Sequence, residues 1–257
     1  MKYLLFFCFI IVSCSFSVSG QTGAQNFKSI QLQNPDLSGK ELKSQLIHYN
    51  FSGLFTKTDN SVVYGFIGKD YRRIRIKLIN VTKDKVANTY KIYGKSMVKD
   101  NICDFYGSIT ISNIRKFKVT SNGVDDMYKN AGIKGQFVIL GDYIFSENKK
   151  QKHAGIFKGV VASRFYIDRN NNVKYDDIDS VSDSFANNQF VGEWTVYKGT
   201  LTERCNWGDF RIPNSGDLDI GAGEFSPNEK YLKNGWQSRR DEIVSNQNTK
   251  SIREVQW

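Results

Sequence analysis

Residues 61–78 read SVVYGFIGKDYRRIRIKL. Val63, Gly65 and Ile67 alternate with Val62, Tyr64 and Phe66; after a short polar turn, Ile74, Ile76 and Leu78 alternate with Arg73, Arg75 and Lys77. Successive side chains of a β-strand point to opposite faces, so a period of two is the signature of a strand with one face turned to a core. The second run therefore reads as an amphipathic strand that is basic on its outer face.

The same period extends along the chain. Thr89–Val98, Ile102–Ser112, Ile114–Thr120, Gly135–Phe145 and Gly155–Ile167 repeat it, separated by short stretches rich in Asn, Asp, Gly and Lys, and Val191–Leu201 repeats it again. Some seven strands with short connections and few helical interruptions point to an antiparallel meander, not a parallel sheet. The expected fold is all-β, a barrel or strongly curved sheet with short helices and a loop-rich C-terminal segment. Gly65, Gly94, Gly107, Gly141 and Gly159 sit inside these strands beside bulky residues, where a glycine marks a bulge or bend. The composition agrees: three prolines, 21 glycines, 13 tyrosines and 18 phenylalanines describe an aromatic-rich chain with many tight turns. The arrangement resembles the lipocalin-like meander barrels. That group's signature residues are not matched, so none of its function is carried over.

Between these strands and the chain ends, less is regular. Residues 21–35 are polar and aperiodic and read as a flexible lead-in. Ser38 and Glu41 have capping-box spacing ahead of a short helix carrying Leu42, Leu46 and Ile47 and ending before Gly53. Asp177–Asn187 reads as a second helix, with Ile178, Val181 and Phe185 on one face. The stretch from Arg204 to Trp236 is dense in Gly, Asp, Asn and Trp and reads as loops. With no Pro- or Ser-rich linker, residues 21–257 are expected to form a single β-rich domain, in which 168–257 is a C-terminal elaboration.

Residues 1–20 have the plan of an export signal: Lys2, an apolar run from Tyr3 to Val12, then small and polar residues to Gly20. The run is well short of the ~20 residues that cross a bilayer. Cleavage after Gly20 would release a protein beginning at Gln21 into the periplasm or the medium. The alternative is a lipobox, IVSC, that would make Cys14 a lipidated anchor; Phe16 and Val18 keep the following stretch apolar and favour the first reading. No later apolar run is long enough for a transmembrane helix. Removal of the signal leaves Cys103 and Cys205 as the remaining cysteines. In an oxidising compartment they are expected to pair, closing a loop of roughly 100 residues worth at most ~4.7 kcal/mol.

The best-defined chemical motif is Asp168–Asp179. Asp168, Asn170, Asn172, the Lys174 carbonyl, Asp176 and Asp179 fall at positions 1, 3, 5, 7, 9 and 12 of a calcium loop, whose hard cation takes oxygen ligands at these offsets. Val173 replaces the usual Gly at position 6, and Asp179 the longer Glu at position 12. The other reading is a polar loop of turn formers. Asp209, Asp217, Asp219 and Glu224 include the carboxylate types a glycosidase pairs, and Trp194, Trp207 and Trp236 could offer stacking faces for sugar or simply close the core. No nucleophile elbow, phosphate loop or HExxH helix is present, and His48 and His153 are the only histidines. The formal charge of +10 is spread along the chain and not clustered, which disfavours nucleic acid. The expectation is a non-enzymatic binding protein whose partner is a small molecule, lipophilic if held in a barrel, or a glycan. An envelope polysaccharide enzyme and a surface interaction protein are the alternatives.

Overall fold

The computed structural model describes residues 23–86 and 88–247, so the expected export signal, with Cys8 and Cys14, lies outside the described residues. Ten strands form among them: β1 (Val63–Ile67), β2 (Arg72–Arg73), β3 (Arg75–Lys83), β4 (Thr89–Val98), β5 (Asn101–Lys116), β6 (Gly135–Glu147), β7 (Gly155–Ile167), β8 (Val173–Tyr175), β9 (Asn187–Val196) and β10 (Thr202–Asp209). The helices are α1 (Gly23–Leu32), α2 (Lys43–Leu46) and α3 (Gln237–Gln247), with short 3-10 turns between. Every strand pairing is antiparallel, in one sheet of order β2-β1-β10-β9-β7-β6-β5-β4-β3, and β8 hangs on β7. The all-β meander read from the alternation is the fold.

The stretch 61–78 is where the sheet meets itself. β1 pairs with β2 through Phe66↔Arg73 and Ile67↔Arg72, and one residue on, the Ile74 amide donates to the Gly65 carbonyl at 3.0 Å. From Arg75 the same chain pairs with β4 instead. The two ends of the sheet are therefore consecutive pieces of one strand, and the sheet curls into a half-barrel whose ends meet only at this joint. Register shifts at Leu78/Asn80, Ile111/Asn113 and Trp207/Asp209 are bulges, which bend a strand and increase its local twist. The shift in β5 joins what the sequence presents as two runs, Ile102–Ser112 and Ile114–Thr120, into one long strand.

The inward phase of the strands fills the barrel with rings. Phe190 stacks on Trp207 at 4.7 Å between centroids, Phe105 on Phe145 at 5.1 Å and Phe137 on Phe165 at 5.0 Å. Room for them comes from glycine: a Cβ at Gly107 would lie 2.0 Å from the Ile144 carbonyl oxygen, and Cβ atoms on the facing pair Gly159 and Gly192 would lie 2.8 and 2.4 Å from the Tyr143 hydroxyl. That hydroxyl is buried and makes no hydrogen bond.

Three segments cover what the barrel leaves open. Residues 42–62 plug one end, where Phe51, Leu54 and Phe55 join the core, Phe51 lies 5.1 Å from Phe165, and Lys83 Nζ donates to the carbonyls of Ile47, His48 and Tyr49. α1 lies on the outside, its Ala24 and Phe27 packed on Val138, Leu140, Val160, Ala162 and Val191. The C-terminal segment covers Tyr64 and Phe66 with Ile212, Leu218, Phe225 and Trp236.

Several expectations change for identifiable reasons. Residues 23–32 form a helix and not a flexible lead-in: so short a helix is marginal alone, and outward-facing apolar residues of β6, β7 and β9 give it a partner. Asp177–Asn187 is not a helix; its amides bond three residues back, Ser180 to Asp177 and Ser182 to Asp179, and Ser184 has φ 62°. The start of the stretch read as loop from Arg204 belongs to a strand, β10, whose buried Asn206 donates to the Pro213 carbonyl at 3.0 Å. Glu41 does not complete a capping box but accepts from the Lys43 and Ile114 amides at 2.6 and 3.1 Å. Arg73, placed on a solvated basic face, is buried against Trp236 and donates to Ser238 Oγ at 2.7 Å. The expected disulfide is not formed: Cys103 and Cys205 are free, buried thiols on β5 and β10, with β6, β7 and β9 between them, too far round the wall for bridging geometry.

Two substitutions test this packing. Gly107→Ala drives a methyl into backbone and should cost about 1–3 kcal/mol, against less than ~0.5 kcal/mol for Gly39→Ala, whose added Cβ meets nothing within 4 Å. Urea unfolding of both checks the difference. Tyr143→Phe removes an unpartnered buried hydroxyl and should leave stability equal or raise it by up to about 1 kcal/mol; a clear loss would show a hydrogen bond the fold depends on.

Candidate functional site

The end of the barrel opposite the plug is open. The β1–β2, β4–β5, β6–β7 and β9–β10 turns all lie there, around a pocket of about 620 Å³. Its wall is mainly apolar, with Ile67, Ile74, Val98, Phe157, Trp194 and Leu201; Ser96, Asn101 and Glu147 supply polar atoms, and Arg72, Lys99, His153 and Glu203 stand around the rim. The strands put these side chains together by simple phase. Ser96, Glu147, Phe157, Trp194 and Glu203 are inward-phase residues close to the same end of five neighbouring or facing strands.

The turns carry strain. Lys99 and His153 have φ of 53° and 55°, a left-handed backbone that costs a non-glycine residue about 1–2 kcal/mol. Such conformations are concentrated at ligand sites. Here they set two basic side chains on the rim.

Glu147 is the polar centre of the pocket. It is buried, its Oε2 accepting from the Gly155 amide at 2.7 Å and the Trp194 indole at 2.9 Å, and its Oε1 accepting from the Ser96 hydroxyl. Burial pushes its carboxyl above the usual range, against the opposing effect of those donors. The carboxylate ties β6 to β4, β7 and β9.

The calcium-loop residues are not gathered round one point. Asp168 Oδ1 accepts from the Asn170 and Asn172 amides at 2.9 and 2.8 Å, and its Oδ2 from the Asn172 side chain at 3.1 Å, which folds 168–172 into the tight turn between β7 and β8. Lys174 lies within β8. Asp176 is buried and accepts from Gln136 at 2.9 and 3.1 Å, burial raising its pKa, while Asp179 accepts from Ser121 at 2.8 Å. Among the described residues no group of three or more His, Cys, Asp or Glu lies close enough to hold a metal ion.

The four acids considered for glycan chemistry also part company. Asp217 pairs with Lys230 and accepts from Tyr231 at 2.8 Å; Asp219 pairs with Arg211 at 2.6 Å; Glu224 is exposed near Arg239. Asp209 lies inside the barrel near the plug. Its Oδ2 accepts from Thr58 at 2.5 Å, Asn188 at 2.8 Å and Tyr175 at 2.9 Å, all neutral donors. Of the three described tryptophans, all belong to packed clusters, and Trp194 also lines the pocket. Sequence reasoning singled out Trp194 but missed Glu147. An acid on the same phase as Phe137, Ile139, Tyr143 and Phe145 at the end of an apolar strand, FVILGDYIFSE, was the available signal; Asp142 falls on the other phase.

Complete burial pushes the Asp209 carboxyl up to about 7, from an ordinary value of 3.8. The folded state then holds this proton more tightly than the unfolded chain. The stability it confers is full below the ordinary value and declines as pH rises through about 7, by about 1.4 kcal/mol per unit between the two. Asp209→Asn should remove that decline, so the variant gains on the parent by more than about 1 kcal/mol between pH 5 and pH 8 in urea unfolding. A constant difference would refute the linkage. Comparison with known proteins adds no precedent: no family model matches the chain, and neither does any curated protein or solved structure.

Proposed function

We propose that this is an exported, non-enzymatic binding protein that takes a small lipophilic molecule at the open end of its barrel. One observation carries the reading. The barrel interior is filled by aromatic side chains, yet at one end the filling stops and leaves a mainly apolar pocket of about 620 Å³ under strained turns. That volume falls within the roughly 300–1,000 Å³ of small-molecule sites. The ligand sits in the mouth, on Phe157 and Trp194, not deep inside. The export signal read in residues 1–20 supports a role outside the cytosol.

The polysaccharide-enzyme alternative loses support from the same geometry. A glycosidase needs two carboxyl groups facing one bond, roughly 5–10 Å apart. The acids this alternative draws on, from 209 to 224, do not face one another: Asp209 lies inside the barrel, Asp217 and Asp219 are held by cations in the outer C-terminal segment, and Glu224 is exposed near Arg239.

Titration with the lipophilic fluorophore N-phenyl-1-naphthylamine tests the reading. One molecule should bind per chain, with a change in tryptophan emission, and Leu201→Asp, at an exposed position on the pocket wall, should weaken binding at least ten-fold without lowering Tm. Absence of saturable binding, or binding indifferent to Leu201→Asp, would remove the mouth pocket as the site.

A further inference from the structure

Glu147 is 5% exposed, and the three groups that hold it, the Ser96 hydroxyl, the Gly155 amide and the Trp194 indole, are all neutral. Among the described residues no Lys or Arg forms an ion pair with it. A carboxylate offers about four acceptor positions. Two on Oε2 and one on Oε1 are taken, so Oε1 retains one that is open. A buried carboxylate without a counter-charge is costly to keep. A strand clamp alone would be served as well by a glutamine, which carries no charge.

The surroundings say what would complete it. Glu147 lines the pocket together with the faces or edges of Phe157 and Trp194. Aromatic rings beside a carboxylate form an environment that suits an organic cation, because the ring quadrupole and the carboxylate attract it together. The rim carries Glu203 as well as Arg72 and Lys99, so the entrance has no single sign of charge, and the inward orientation rests on the unpaired Glu147 carboxylate beside the two rings. The apolar remainder of such a ligand would lie along Ile67, Ile74, Val98 and Leu201.

Building on the mouth-pocket reading, we infer that the ligand is a lipophilic amine whose ammonium group donates to Glu147 Oε1 at the inner end of the pocket. The amine supplies both the missing charge and the missing donor. An alcohol supplies only the donor, and a fatty acid supplies a repelling charge. The overall charge of the chain, +10, works against amine binding and towards fatty acids, so a preference for amine must come from the site.

A matched series of n-octylamine, 1-octanol and octanoate, each displacing N-phenyl-1-naphthylamine at pH 7.5, tests this. Octylamine should bind at least ten-fold more tightly than octanol, with octanoate weakest. Glu147→Gln should reduce octylamine affinity at least ten-fold while leaving octanol within about two-fold. Equal binding of all three, or tighter octanoate, would overturn the amine assignment and leave the mouth pocket standing. Failure of all three, with the fluorophore also unbound, would overturn both. The ranking on the parent protein decides the matter even if Glu147→Gln does not fold.

Discussion

The Ile74 amide bonds the Gly65 carbonyl at the point where one strand changes neighbours. Before Ile74 the chain pairs with β1, and after it with β4, so the bond joins the two ends of the sheet. It requires that β1 and the incoming strand approach closely. Gly65 permits this, since a Cβ there would lie 2.7 Å from the Trp207 Cβ and 3.1 Å from the Ile74 oxygen. This joint shortens the unpaired edges that a meander of this length would expose, although β3 from Arg75 onward pairs with β4 alone. It also creates an inside, which the aromatic residues fill, and two ends.

The two ends are treated differently, and the candidate site follows from that difference. At one end residues 42–62 bring Phe51, Leu54 and Phe55 into the core, and Asp209 sits beneath them among three neutral donors. At the other end, among the described residues, only hairpin turns cross and no plug is inserted. The pocket is the remaining space above Phe157 and Trp194. Each end holds a buried carboxyl, but they differ in setting: Asp209 is enclosed by the plug, whereas Glu147 lines a pocket that a ligand can enter.

The outer surface explains why some strands did not look amphipathic. β1 is apolar on both phases because Gly65 and Ile67 face the barrel while Tyr64 and Phe66 lie under Phe225 and Trp236. β6 and β7 are likewise covered outside by α1. Where no segment covers the wall, the outward phase is polar or carries scattered exposed residues such as Tyr106 and Ile144, consistent with simple alternation.

Alternation alone was enough to read the strands from Val63 to Ile167 and the curved meander, because the period of a pleated strand is a local property written residue by residue. β10 escaped because its inward residues, Glu203, Cys205, Trp207 and Asp209, mix charge with apolar bulk, and the buried Asp209 is satisfied by partners distant in the chain, Thr58 and Tyr175 among them. α1 escaped for the same reason: its stability is supplied by β6, β7 and β9, not by its own ten residues. Asp168–Asp179 kept the spacing of a calcium loop, yet spacing does not say where side chains turn, and Gln136 and Ser121, remote in the chain, engage two of its carboxylates. Composition and period thus determined the class of fold and its curvature. The pocket, its charge and its free acceptor were decided only by tertiary structure, because they depend on which strand ends meet and which end the plug leaves open.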